Sequence, residues 1–274
     1  MRASIPVGID IGGTKMLVLA GDASVRVDTG PEAGPASIEA ELRRQLRALD
    51  VRPTALGIAV PGLVDAQGRV EMSGVLPKLA GWRPAQAFAD LGCPVAVLND
   101  AEAALAEEAR ELAEGATAGI VMAGTAIGAA FRVEGVALRG ARGWAGELGF
   151  FPVATDHGVK RLDELAGGRF IAARLGIDGA TLAQRAQAGD AHALAAIRAG
   201  GAALGLALAG VVNLLNPHLL VLGGGTLQLP GYEAAVHEAL ERHSLPPLRQ
   251  ACVVRRAEGG PAVVALGAIR TALG

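Results

Sequence analysis

The stretch that most limits what this chain can fold into is Val7-Gly8-Ile9-Asp10-Ile11-Gly12-Gly13-Thr14-Lys15, running on into Met16-Leu17-Val18-Leu19-Ala20. It reads as a buried strand, a glycine turn and a return strand. Adjacent glycines let the backbone reverse sharply and leave its amides unshielded, so a phosphate can approach closely. Asp10 sits just before the turn, where an apolar strand makes a carboxylate costly to bury unless a metal ion accompanies it. Thr14 and Lys15 add a hydroxyl and a cation. Read alone, the stretch fits either a phosphate-binding turn or a tight hairpin with a solvated lysine. It is not a P-loop, because Thr and Lys stand in the wrong order and a strand follows where a helix is required.

A second copy decides between these readings. Gly119-Ile120-Val121-Met122-Ala123-Gly124-Thr125-Ala126 repeats the pattern 111 residues on and again leads into an apolar strand. That spacing is too long for a solenoid, whose repeats recur every ~20–50 residues, so it implies a duplicated domain. The copy keeps the turn but has Val121 and Ala126 in place of Asp10 and Lys15. The expected fold is α/β, with two duplicated lobes and a nucleotide clamped between their turns.

Composition excludes several other classes. The chain has 274 residues, 51% of them hydrophobic, with 39 glycines, and is long enough for one large or two modest cores. A net charge of −2 gives no electrostatic case for nucleic acid or an anionic membrane. Cys93 and Cys252 are too few for a disulfide framework. Pro6 and Asp10 interrupt what would be an apolar leader. Between Ala199 and Tyr232 there is no Lys, Arg, Asp or Glu, but Asn213, Asn216, Pro217 and the run Gly223-Gly224-Gly225 break a membrane span. A core helix leading into a buried strand is expected, in a cytoplasmic protein.

Other elements follow in order. Ser37 is expected to cap a helix carrying Ile38, Leu42, Leu46 and Leu49. A strand at Ala55–Val60 ends in Pro61-Gly62, which reads as a substrate-facing turn or as a terminator. The strand Pro94–Leu98 ends in Asn99-Asp100, with a helix expected over Ala101–Glu114. Asp100 fits an N-cap, and equally a carboxylate that meets a substrate hydroxyl. The loop Gly140–Gly149 holds four glycines and one carboxylate, Glu147. Trp144 reads as a packing anchor. A helix is expected over Leu162–Leu175, a capping box at Thr181-x-x-Gln184, a cap at Asp190 and a closing helix from Pro261.

With these residues in view, the chain resembles the ROK family of repressors, open reading frames and sugar kinases, within the actin-like ATPase superfamily. The resemblance rests on Asp10-Ile11-Gly12-Gly13-Thr14-Lys15, Gly124-Thr125-Ala126-Ile127-Gly128, Asn99-Asp100, Gly146-Glu147, Gly223-Gly224-Gly225 and Asn213-Leu214-Leu215-Asn216-Pro217. It implies a two-lobed actin-like ATPase (ribonuclease H-like) fold with a cleft between duplicated domains. The first lobe would comprise 1–114 plus 261–274, and the second 115–260. It further implies an ATP-dependent sugar kinase, probed most simply with glucose, fructose and N-acetylated hexosamines, transferring phosphate to the 6-hydroxyl. Asp100 would be the base. Asp10 would hold Mg²⁺ through water. Gly12, Gly13, Thr14, Lys15, Gly124 and Thr125 would take the phosphates, and Gly224 and Gly225 the adenosine. Asn99, Glu147, Asp163, Gly62 and Phe150 would face the sugar. A homodimer is expected. The alternatives from other classes are a sugar-binding regulator without turnover and a kinase that uses polyphosphate.

The departures from the family pattern are local. Phe150 stands where the family has a histidine that binds sugar and structural zinc. No cysteine lies between Phe151 and Leu162, so no zinc is expected. Burial of Phe150 and Phe151, at ~1.5–3 kcal/mol per ring, is the expected substitute anchor. Asp163 is one carbon shorter than the family's glutamate.

Overall fold

Strand β1 (Ala3–Ile11) turns into β2 (Lys15–Ala20), and β3 (Ala23–Asp28) leads to helix α1 (Pro35–Ala48). The computed structural model describes residues 3–274, so Met1 and Arg2, counted above in the first lobe, lie outside the described residues. After α1 come β4 (Val51–Val60), the short β5 (Leu63–Val64) and β6 (Val70–Met72), α2 (Pro84–Ala87), β7 (Val95–Asn99) and α3 (Asp100–Glu108). A second strand series follows: β8 (Ala118–Ala123), β9 (Ile127–Val133), β10 (Val136–Ala137), and the hairpin β11 (Pro152–Thr155) and β12 (Gly158–Arg161). Helices α4 (Leu162–Ala166), α5 (Gly168–Arg174), α6 (Gly179–Gln187) and α7 (Ala191–Leu215) precede β13 (Leu219–Gly223). The chain closes with α8 (Tyr232–His243), α9 (Pro246–Ala251), β14 (Val253–Arg256) and α10 (Val263–Leu273).

Two five-stranded sheets result, ordered β3-β2-β1-β4-β7 and β10-β9-β8-β13-β14. In each, the first three strands form an antiparallel meander and the other two run parallel to the first. The duplication read from the glycine turns therefore extends to whole sheets. The copies differ at the turn itself. Ile11 pairs with Met16, whereas its counterpart Met122 pairs with Gly128, so the second turn is one residue longer.

Contacts divide the chain into two compact units. One holds the residues up to Leu112 together with Leu138–Ala145 and Glu258–Gly274; the other holds Ala113–Ala137 and Gly146–Ala257. In the first unit, alternation along β1 sends Val7, Ile9 and Ile11 into a core with Ile38 and Leu42 of α1. The opposite face meets α10 so closely that a Cβ on Gly8 or Gly57 would lie 2.1 or 2.0 Å from a carbonyl oxygen of that helix. Asp10 shares the face of Gly8. In the second unit, Leu220 and Leu222 of β13 join Leu204 and Leu208 of α7 in one core. Among the described residues α7 is the one helix long and apolar enough to cross a membrane. Here Leu204 and Leu208 are fully buried, and the backbone at Gly201 and Gly205 packs on α8.

Several local expectations need correction. Helix α1 begins at Pro35, and Ser37 is its third residue, its hydroxyl accepting from Gly34 N at 3.1 Å. Asn99, not Asp100, caps α3, and that helix ends at Glu108. It stops where the Glu108 carboxylate accepts from the backbone of Glu258 and Gly259, both at 2.8 Å. The helix expected over Leu162–Leu175 breaks at Gly167, which is extended (φ −68°, ψ 136°). A Cβ there would meet carbonyl oxygens of Asp163 and Thr125 at 2.9 Å. Asp178 caps α6, its carboxylate accepting from Thr181 N at 2.7 Å, so no capping box starts at Thr181. Asp190 caps α7 as expected.

Candidate active site

In the first unit, the glycine turn closes on itself through Gly12 N donating to Lys15 O at 2.8 Å, and Thr29 Oγ1 donates to Gly12 O at 2.7 Å. Among the described residues, the next two amides, of Gly13 and Thr14, meet no protein acceptor. Lys15 and Thr14 are exposed. The turn therefore offers two amides, a hydroxyl and a cation to an anion.

Asp10 is the last residue but one of β1 and Asp100 opens α3 directly after β7, both at carboxyl ends of strands in one parallel set. Helices α3 and α10 pack on the face that carries Asp10, which brings the two carboxylates into each other's field. Burial first, and the charge of Asp100 second, push the Asp10 carboxyl up to about 6, with Arg26 pulling the other way. Burial also raises Asp100, against hydrogen bonds from its own amide and that of Ala101. Two part-buried acids raised by burial, one of them also by the charge of the other, call for a cation, and a hard divalent ion suits an all-oxygen set. This residue set fits Mg²⁺.

Asn99 joins this cluster. Its Oδ1 accepts from Ala101 N at 2.8 Å, and its Nδ2 donates to Gly62 O at 2.7 Å. Gly62 needs its positive φ of 124°, and a Cβ there would strike Met72 O at 2.2 Å. The Pro61-Gly62 turn is thus pinned on one side by β6 and on the other by Asn99. Asp10, Gly62, Asn99 and Asp100 come together in the first unit.

In the second unit, the turn closes over a shorter span, Gly124 N donating to Ala126 O at 3.0 Å. Gly124 O accepts from Gly168 N at 2.9 Å and from Thr226 Oγ1 at 2.8 Å. A cavity of about 720 Å³ opens beside it, lined by Gly124, Thr125, Arg169, Asp178, Gly225 and Thr226 among others. Gly224, at φ 96°, is packed so that a Cβ would lie 2.2 Å from Ala123 O. The glycine run is therefore what lets β13 end against the second turn. Arg169, Ile177, Asp178 and Leu182 line the cavity without any sequence signal, because the reversal between α5 and α6 places them there.

The remaining candidates lie on the loop after β10 and at the start of α4. Glu147 is exposed and precedes a single 3-10 turn, Leu148–Phe150. Phe150 and Phe151 are 57% and 54% exposed, so the expected anchoring by burial does not occur. Phe150 instead lies beneath the Arg161 guanidinium, 5.0 Å from the ring centroid, and Leu162 N donates to Phe151 O at 2.9 Å. The hairpin β11–β12 occupies the cysteine-free stretch between Phe151 and Leu162. Asp163 is 8% exposed, and its Oδ1 accepts from Ile127 N at 2.6 Å. Trp144 is half-buried, with Arg142 5.8 Å over its ring. Among the described residues no group of three or more His, Cys, Asp or Glu is placed to hold a metal. We expect elemental analysis of purified protein to find far less than one zinc per chain. One zinc per chain would contradict the hairpin as a metal-independent element.

A profile of the ROK family matches residues 6–273. The bifunctional enzyme NanE/NanK of Brucella melitensis biotype 1 is 31% identical over 261 residues, which is 89% of this chain and 50% of that enzyme. The chain thus spans about half the length of the NanE/NanK relatives it matches. A β-glucoside kinase of Klebsiella pneumoniae is 27% identical over 256 residues, 84% of this chain and 85% of that one. Among solved structures, the ROK hexokinase of Thermus thermophilus superposes with a TM-score of 0.83 at 30% identity, over 98% of this chain and 97% of that one.

Proposed function

The chain belongs to the ROK family, and we propose that it is an ATP-dependent sugar kinase that transfers the γ-phosphoryl group to a hexose hydroxyl, the 6-hydroxyl first among them. The observation that carries this reading is the pair Asp10 and Asp100, two carboxylates at strand ends, both raised by burial and the first also by the charge of the second, beside a turn with unpaired amides. Relatives named as a β-glucoside kinase and a hexokinase support a sugar as acceptor.

Phosphoryl transfer needs positioning and charge stabilisation more than covalent chemistry. The Asp100 carboxylate takes the proton of the sugar hydroxyl as its oxygen bonds to the γ-phosphorus and ADP departs. Burial makes Asp100 a stronger base than an ordinary aspartate. Asp10 would hold Mg²⁺ through water, and the ion would supply neutralising charge to the phosphates. The Gly13 and Thr14 amides with Lys15, and the turn at Gly124-Thr125, bind phosphate oxygens. The cavity beside Gly225 takes the adenosine. Asn99, held by its bonds to Gly62 and Ala101, would orient the sugar through its second amide hydrogen, and Glu147 is the further candidate for that role.

The test is ADP formation from MgATP with glucose, fructose, mannose and N-acetylated hexosamines in turn. One of them should stimulate ADP release far above the sugar-free rate. Sugar binding with no stimulation by any of them would replace the kinase with a regulator, and turnover with polyphosphate alone would change the donor.

A further inference from the structure

We propose that Asp163 is a positioning residue that locks the loop carrying Glu147 to the phosphate turn at Gly124–Ala126, so that acceptor and donor sides are held in one register. This rests on the kinase reading given above for those two segments. All the contacts lie within the second unit.

The Asp163 carboxylate is buried and accepts from Ile127 N, the first amide of β9 and the residue directly after the turn. The loop backbone packs onto that same bond. A Cβ on Gly149 would lie 2.6 Å from Asp163 Oδ1 and 2.5 Å from Ile127 O, so only a glycine lets the loop come this close. Behind it, Asp163 O accepts from Gly167 N at 2.9 Å, the last bond of α4 before the break. Gly168 N and Arg169 N, just beyond the break, donate to Gly124 O at 2.9 Å and Thr125 O at 3.3 Å. The turn is therefore held from two sides, by the Asp163 side chain and by the amides just beyond α4. The loop is seated against the side-chain grip. An ionised acceptor on a buried backbone donor is among the stronger hydrogen bonds, and its loss leaves that donor unpaired.

The position also explains why a shorter acid is tolerated here. Aspartate reaches the Ile127 amide from α4, and an atom engaged there and covered by Gly149 is not presented to a ligand.

Two variants test the link. Asp163→Ala should raise the KM for ATP and the KM for the sugar together, each by about tenfold, the loss of one such bond. Asp163→Asn keeps an oxygen for Ile127 N and should restore both KM values to within about threefold of wild type. A rise in the sugar KM alone, in either variant, would overturn the proposal and make Asp163 a direct sugar ligand. Unchanged KM values in Asp163→Ala would overturn it as well. Hydrogen exchange gives a readout that needs no turnover. Peptides covering 124–128 and 147–151 should both exchange faster in Asp163→Ala than in Asp163→Asn, while those covering α8 should not differ. Faster exchange confined to 147–151 would contradict the link even if the wild type phosphorylates no sugar. Should Asp163→Ala not fold, Asp163→Asn decides by its two KM values, or by exchange at both segments against wild type.

Discussion

Asp100→Asn is expected to cut sugar phosphorylation by about 10²–10⁴-fold, the usual contribution of a positioned acid–base group, while the protein stays folded and binds sugar nearly as before. The geometry makes this a clean test. Asp100 is the first residue of α3, but the cap is Asn99, whose Oδ1 accepts from Ala101 N whatever stands at position 100. The bond from Ala101 N to Asp100 Oδ1, at 2.8 Å, can also be made by the oxygen of an asparagine. Burial disfavours the charged form of Asp100, so a neutral isostere relieves a cost. Melting temperature should therefore hold or rise while kcat collapses. A variant that keeps kcat within a few-fold of wild type would remove Asp100 from the chemistry. One that fails to fold would return it to a structural role.

The second large effect is expected at Asp10, where stability and activity should move in opposite directions. Its carboxyl stands at about 6 against 3.8 for the ordinary group. A raised carboxyl binds its proton more tightly in the folded state. Its contribution to stability is thus fully present below about pH 4 and is lost as the pH rises to about 6. Without divalent ion or nucleotide, Asp10→Asn should exceed wild type in stability by ~1–3 kcal/mol at pH 7.5. The difference should shrink towards zero as the pH falls from about 6 to about 4. The same variant should lose Mg²⁺-dependent turnover by about 10²-fold or more, since charge stabilisation of the phosphates loses its anchor. Thermal melts across this pH range, with and without Mg²⁺, would check both halves. An asparagine variant less stable than wild type at pH 7.5, or one with near-normal turnover, would contradict the account.

Much of this was legible in the residues, and the limits have physical causes. Two strand–glycine–strand stretches implied a duplicated domain, because hydrophobic periodicity and glycine turns are local signals, while the shared strand order of the two sheets shows only in the fold. Asn99-Asp100 was legible as a pair, yet which of the two caps α3 depends on backbone angles that no residue type dictates. The break at Gly167 was hidden because apolar residues such as Leu162, Leu165, Ile171 and Leu175 continue on both sides of it, and its cause is the close approach of Thr125 from another element. Phe150 and Phe151 were misjudged for a related reason. Hydrophobicity argues for burial, but whether a core reaches a surface loop is a tertiary matter, and here Arg161 meets the Phe150 ring instead. The cavity beside Gly225 drew residues such as Ile177 and Asp178 from a helix reversal, which leaves no motif. Asp163 was legible as a candidate through resemblance alone. Its bond to Ile127, 36 positions away in sequence, shows only in three dimensions.

The central claim is that the Asp10–Asp100 cluster directs the γ-phosphoryl group of ATP onto a sugar and not onto water. The most direct measurement follows both products from one reaction of the wild-type protein with MgATP and the hexose that stimulates it best, with ³¹P NMR resolving ADP, sugar phosphate and inorganic phosphate. The account predicts ADP and sugar phosphate in equal amounts, with inorganic phosphate at background and neither product above background in Asp100→Asn. ADP matched by inorganic phosphate, or sugar phosphate forming undiminished in Asp100→Asn, would contradict it.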